Sequence, residues 1–110
     1  NIMEAIQFNQ ISLIDKMIKH NSAFLRNILI EVASNYNKWD LVEYFIEKCK
    51  FEVTHIVMED AARYGNLNLF LKLYKLAISI DELSISYAAK HGHFEIVSFI
   101  CQHLIDNIML

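Results

Sequence analysis

The chain has 110 residues, 55% of them hydrophobic, and a formal net charge of -3. That is enough apolar material for one continuous core and argues against disorder, while the slight acidity leaves no excess of positive charge for nucleic acid or an anionic membrane surface. Its apolar stretches are broken by charge, as at Lys72 and Lys75, so no run of about 18 residues spans a bilayer.

Four alanines, Ala5, Ala33, Ala61 and Ala88, stand 28, 28 and 27 residues apart and set the register of four predicted helix pairs. The first unit, about 1–21, opens on the end of a leading helix through Ala5, turns at Asn9, and starts a second helix with Ile11, Leu13 and Ile14. Its leading helix is incomplete and residue 1 is Asn, as expected for a single domain, 1–110, cut from a longer protein. Asn1 to Gln10 has neither the basic start nor the apolar stretch of a signal peptide. The second unit, about 22–49, keeps an apolar pair at Leu25 and Ile30, with Arg26 in place of a cap. It then runs through Ala33 to Asn37 and reopens with Trp39, Leu41 and Val42.

In the third unit, about 50–77, Thr54 is predicted to cap a helix and Met58 to close a hydrophobic staple over Val53. That helix passes Ala61 and stops at Gly65. Leu67, Leu69, Phe70, Leu73 and Tyr74 then form one broad side of the next. The fourth unit, about 78–110, repeats the scheme with Ile80, Asp81 and Ile85, then Ala88, Gly92, Phe94, Ile96 and Val97.

Asn9, Asn37, Gly65 and Gly92 are the residue types that accept a left-handed backbone after a helix. Ile11, Leu67 and Phe94 are expected in the core, and Trp39 with them. The connectors Lys50 to Val53 and Ile78 to Ile80 read as short extended staples. With proline absent and glycine at two positions, no flexible linker divides the chain. A period of this length is the signature of a solenoid, an all-α stack in which each unit buries its apolar face on its neighbours.

The segment Ala88-Ala89-Lys90-His91-Gly92-His93-Phe94-Glu95-Ile96-Val97 resembles the central stretch of an ankyrin repeat. Ala61 to Leu67 follows the same pattern with Asn66 for His, and Ala33 to Val42 and Ala5 to Ile14 follow it more loosely. Ankyrin units are about 33 residues long and carry a Thr-Pro-Leu-His start and a β-hairpin tip. Here Leu83-Ser84-Ile85-Ser86 stands in that place, so the resemblance implies an α-solenoid of about four ankyrin-like helix pairs with shortened or absent hairpins. Isoleucine- and asparagine-rich arrays of this kind look like those of intracellular bacteria or large DNA viruses, where they engage host proteins.

The same resemblance implies a protein-interaction module that binds a partner on the concave face of its first helices. The binding residues are those at the ends of these helices: Gln7 and Phe8, Asn35 and Tyr36, Arg63 and Tyr64, Lys90 and His91. Phe8, Tyr36, Tyr64 and His91 make a line of rings suited to binding hot spots, or to bracing one unit on the next. Glu31, Glu59 and Asp60 read as acidity beside that line, on a solvated face.

No cofactor or metal is expected. His91, His93, His103 and Cys101 lack zinc-ligand spacing; the resemblance has His93 bonding loop backbone at its helix start, Cys101 facing the core, and Gln102 and His103 turned away. Ser98 and Glu95 have no histidine to complete a nucleophilic site, so this chain is not read as an enzyme. Cys49 and Cys101 fall on outer helices about 20 Å apart, beyond disulfide reach, which suits a reducing, intracellular compartment, the host cytoplasm for an effector. The alternative reading is a structural scaffold that packs on other domains or self-associates through its apolar end, Leu104 to Leu110.

Overall fold

The computed structural model describes residues 2–19 and 23–109, so the expected 21/22 unit boundary and Leu110 of the apolar end lie outside the described residues. The described residues form eight helices and no strand: α1 (Ile2–Gln7), α2 (Ile11–Lys19), α3 (Ala23–Asn35), α4 (Trp39–Glu47), α5 (His55–Tyr64), α6 (Leu67–Lys75), α7 (Glu82–Lys90) and α8 (Phe94–Ile108). They divide into two compact units, Asn1–Val57 and Met58–Leu110, the division falling within α5.

Four turns join α1 to α2, α3 to α4, α5 to α6 and α7 to α8, and they close with the same hydrogen bonds. The carbonyl of each periodic alanine accepts the amide five residues on: Ala5 from Gln10 (2.8 Å), Ala33 from Lys38 (2.8 Å), Ala61 from Asn66 (2.9 Å) and Ala88 from His93 (2.9 Å). Each acceptor spans a left-handed residue, with φ of 52° at Asn9, 61° at Asn37, 76° at Gly65 and 73° at Gly92. This is the Schellman closure, in which a left-handed residue folds the chain back onto the orphan carbonyls of a helix end. The following helix then starts at once, with Ile14 bonded to Gln10, Val42 to Lys38, Phe70 to Asn66 and Val97 to His93.

In the first unit α1 packs on α2 and α3, α2 touches α3, and α3 packs on α4. Leu29, Ile30 and Ala33 fall on one side of α3 at helical spacing and are fully buried, as are Ala5, Ile6, Ile14, Val42 and Phe45. Phe45 stacks on Phe51 with centroids 4.9 Å apart and planes 11° apart. The Phe51 amide also donates to the Phe45 carbonyl at 2.9 Å, which draws the connector after α4 back over its own helix.

In the second unit α8 packs on α6 and α7. Met58, Ala61, Ala62, Phe70, Leu73 and Ala88 are fully buried, and Phe99 meets Phe70 and Tyr74 edge-on at 6.0 and 5.0 Å. Side-chain caps open two helices: Asn66 Oδ1 accepts the Leu69 amide at 3.1 Å, and Asp81 Oδ1 accepts the Ser84 amide at 2.9 Å. The expected cap at Thr54 takes another form. Its hydroxyl donates to the Glu31 carboxylate at 3.0 Å and so ties the start of α5 to α3 within the first unit.

Residues 51–54 and 78–81 carry neither helix nor strand. The ends of α4 and α6 reach these connectors through left-handed Lys50 (φ 59°) and Ala77 (φ 65°), residue types without glycine's freedom. A left-handed alanine costs about 1 kcal/mol because its Cβ crowds the following carbonyl, and Ala77 is exposed, so its methyl gains little from packing. Ala77→Gly is therefore expected to raise the free energy of unfolding by about 1 kcal/mol, read as a higher denaturant midpoint at unchanged slope.

Several residues expected inside lie outside. Phe94 is 79% exposed, Ile11 is also exposed, and Trp39 and Leu67 are half-buried. Each is the first residue of a second helix, and because helical side chains lean back toward the N-terminus the first one projects past the helix end over the turn, whereas Ile14, Val42 and Phe70, one turn on along the same side, are buried. Cys101 is exposed where a core position was expected. Glu59 and Asp60, read as a solvated face, are buried.

Candidate functional site at the ends of the first helices

Gln7, Asn35 and Lys90 are the last residues of α1, α3 and α7, and Phe8, Tyr36 and His91 come next. Hydrogen bonds donated by the amides of Phe8, Tyr36 and His91 to the carbonyls of Glu4, Val32 and Tyr87 hold these three in a last helical turn just before the left-handed residue. Tyr64 occupies the corresponding place as the final residue of α5, after Arg63. All of these side chains are exposed except Arg63, which is half-buried. Phe8 is 66% exposed, Tyr36 39% and Tyr64 38%.

In the first unit the Tyr36 hydroxyl reaches Met3 Sδ at 3.7 Å, a weak contact that steadies the ring against α1. Behind this end, the Tyr44 hydroxyl donates to Asp15 Oδ1 at 3.0 Å and joins α4 to α2. The carboxylate acceptor, with a contribution from burial, pushes the Tyr44 pKa from 10.0 up to about 12. The folded value lies above the ordinary one, so the stabilisation is complete below about pH 10 and is lost as pH rises through about 12. Burial also pushes the Cys49 thiol up, against a lowering by its neighbour Tyr44; a thiol held neutral is a poor nucleophile.

In the second unit the ends of α5 and α7 are drawn together. The Arg63 guanidinium carbon lies 5.2 Å from the Tyr64 ring centroid and 5.7 Å from that of Tyr87, within cation–π range of both. Arg63 Nη1 is 4.0 Å from Asp60 Oδ1 one turn below. The Arg63 carbonyl is 2.9 Å from His93 Nε2. A carbonyl only accepts, so Nε2 carries the proton and donates. His93, at the start of α8, therefore bonds backbone as the resemblance implied, the acceptor lying in the last turn of α5 and not in a loop. Its ring lies over Gly65, where an added Cβ would overlap it, and 6.3 Å from the ring of His91.

Sequence reasoning missed Tyr87 as a member of this cluster. It stands 27 residues after Asp60, so the alanine register carries the acidic position of the third unit onto a ring in the fourth. His103 was missed too. It is half-buried, with Nδ1 2.9 Å from the Tyr74 hydroxyl and Nε2 3.2 Å from Asn107 Nδ2, and it fastens α8 to α6 instead of turning away.

Among the described residues no group of three His, Cys, Asp or Glu side chains is placed to hold a metal ion, and no helix is long and apolar enough to cross a membrane. A shallow hollow of about 360 Å³ is lined by Gly65, Leu67, Gly92 and residues 93–96. It is floored by two turns and carries no set of converging reactive groups. The chain matches no protein-family model, and no curated protein and no solved structure is significantly similar to it.

Proposed function

We propose that the chain is a protein-interaction module, an ankyrin-like solenoid that holds a partner protein against the ends of its first helices. The observation that carries this reading is the exposure of Phe8, Tyr36, Tyr64 and His91 at four equivalent helix ends, each followed by a turn closed through the main chain. Exposed rings offer large contact area at small entropic cost, and a rigid turn behind each one fixes where it points. Contacts of α1 with α3 and of α6 with α8, first helix on first and second on second, support the stacked arrangement. Within this reading the module works inside a cell, and the resemblance to effector arrays makes a host protein the natural partner.

Replacing Tyr36 and Tyr64 together by alanine is expected to abolish partner capture and to leave helical content and melting temperature nearly unchanged. A fall in melting temperature as large as that of a core substitution would instead assign the rings to bracing.

The scaffold reading keeps one observation of its own. The far end of α8 exposes Leu104, Ile105 and Ile108, with Met109 beyond it, an apolar end of the kind that seeks cover. Sedimentation at rising concentration separates the two readings, since a chain that stays monomeric does not self-associate through that end.

A further inference from the structure

We propose that α8 pairs with α8 of a second copy of the chain, through an open apolar side formed by Val97, Cys101, Leu104, Ile105 and Ile108 and ending at Met109. This rests on the self-association reading and gives it a surface, a stoichiometry and a symmetry.

The residues of α8 divide into three sides at helical spacing. Ile96 and Ile100 are buried, and Phe99 and His103 beside them meet α6. Glu95, Ser98, Gln102 and Asp106 make a polar side, exposed throughout, on which Gln102 donates to Asp106 Oδ1 at 2.8 Å. The third side is apolar and open, with Leu104 46%, Ile105 51% and Ile108 80% exposed. A helix with one apolar side is satisfied by packing on its own domain, whereas α8 carries two and has covered one.

The register identifies what fits the open side. Val97 and Cys101 stand 27 residues after Phe70 and Tyr74, and Phe70 and Tyr74 are the α6 residues that receive Phe99 of α8. The open side of α8 therefore corresponds to the side on which α6 takes another helix, and it continues that contact outward.

Area and charge make a second copy the occupant. At full cover the six side chains remove about 600 Å² from each copy, hence about 1,200 Å² from the pair, the lower edge of stable interfaces. The ionised residues of α8, Glu95 and Asp106, lie on its polar side, so two open sides meet without like charges opposed. The helix has no lysine or arginine, the residues with which an interfacial helix holds an anionic membrane. Pairing through the same patch on both copies is isologous and closes at two. A head-to-tail stack fits less well, because the α2 residue at the register place of Phe99 is exposed Lys16, a charge where α8 offers a ring.

Sedimentation velocity of the whole chain, from about 5 to about 500 µM, is expected to show conversion of monomer to dimer and nothing larger. Leu104→Glu and Ile108→Glu, both at exposed positions and with folding checked by circular dichroism, are each expected to weaken the dimer about tenfold or more. Alkylation of Cys101, exposed in the single chain, is expected to slow several-fold as the wild type is concentrated, and not to slow in either variant.

A dimer that both variants leave intact, with Cys101 as reactive as in dilute protein, would overturn pairing through α8 and leave self-association standing. A monomer throughout would overturn both. Assemblies that keep growing beyond two copies would overturn the closed symmetry. Wild-type chain that stays monomeric yet binds phosphatidylcholine vesicles, with binding lost in Ile108→Glu, would overturn the second copy in favour of a lipid surface.

Discussion

Gly65→Ala is expected to lower the free energy of unfolding by about 2–4 kcal/mol, and Gly92→Ala by about 1 kcal/mol. Both glycines are left-handed, at φ 76° and 73°, so both substitutions carry the same backbone penalty. They differ in what the new methyl meets. At Gly92 nothing lies within 4 Å, whereas at Gly65 the methyl would overlap the His93 imidazole. The ring would have to move off the turn, and the bond from Nε2 to the Arg63 carbonyl would be lost, with that acceptor part-buried. Chemical denaturation of the two variants gives the comparison. In a His93→Ala background the same Gly65→Ala change is expected to cost only the backbone penalty of about 1 kcal/mol, because the group that clashes is already gone. Equal losses at the two glycines would show that the His93 ring does not rest on the Gly65 turn.

Phe45→Ala is expected to cost about 3–5 kcal/mol, a large share of the 5–15 kcal/mol, roughly, that holds a domain of this size together. Phe45 is fully buried and stacks on Phe51, and its carbonyl takes the Phe51 amide. The cavity left by the ring therefore removes the seat of the following connector as well as apolar burial. Phe94→Ala supplies the contrast: the ring is 79% exposed, and its removal is expected to stay within about 0.5 kcal/mol. Thermal unfolding monitored by circular dichroism reads both. A Phe94 variant as unstable as the Phe45 variant would mean that Phe94 is covered in solution.

The contrast between these two phenylalanines marks where sequence reasoning succeeds and where it stops. The turns were readable because Asn9, Asn37, Gly65 and Gly92 are residue types that a left-handed backbone selects. Lys50 and Ala77 adopt the same conformation and could not be read, since neither type prefers it and the surrounding connector imposes it. The helix-facing residues Ile14, Val42 and Phe70 were found by spacing. Phe94 and Ile11 were assigned to the core by size and register, although a first helical side chain leans back past the helix end over the turn. Cys101 was placed inward by resemblance alone, and it faces solvent.

The ends of the first helices were located correctly in the chain because they directly precede the turns. What the sequence could not convey is how Arg63 is shared: its side chain lies on two rings and its carbonyl on His93, one partner being next in sequence and the others on or just after α7. Nor could it convey that Glu59 and Asp60 withdraw from solvent, because a carboxylate on a helix reads as a surface residue until its neighbours are known.

The four turns close through carbonyl and amide groups that every residue type but proline supplies. The side chain three places after each periodic alanine takes no part in those bonds, so the chain separates the positions it must keep from the positions it can vary. Phe8, Tyr36, Tyr64 and His91 already show four surfaces on one backbone design. On the proposed interaction reading, such a chain exchanges one exposed side chain for another by single codon changes while the main-chain closure of each turn stays the same.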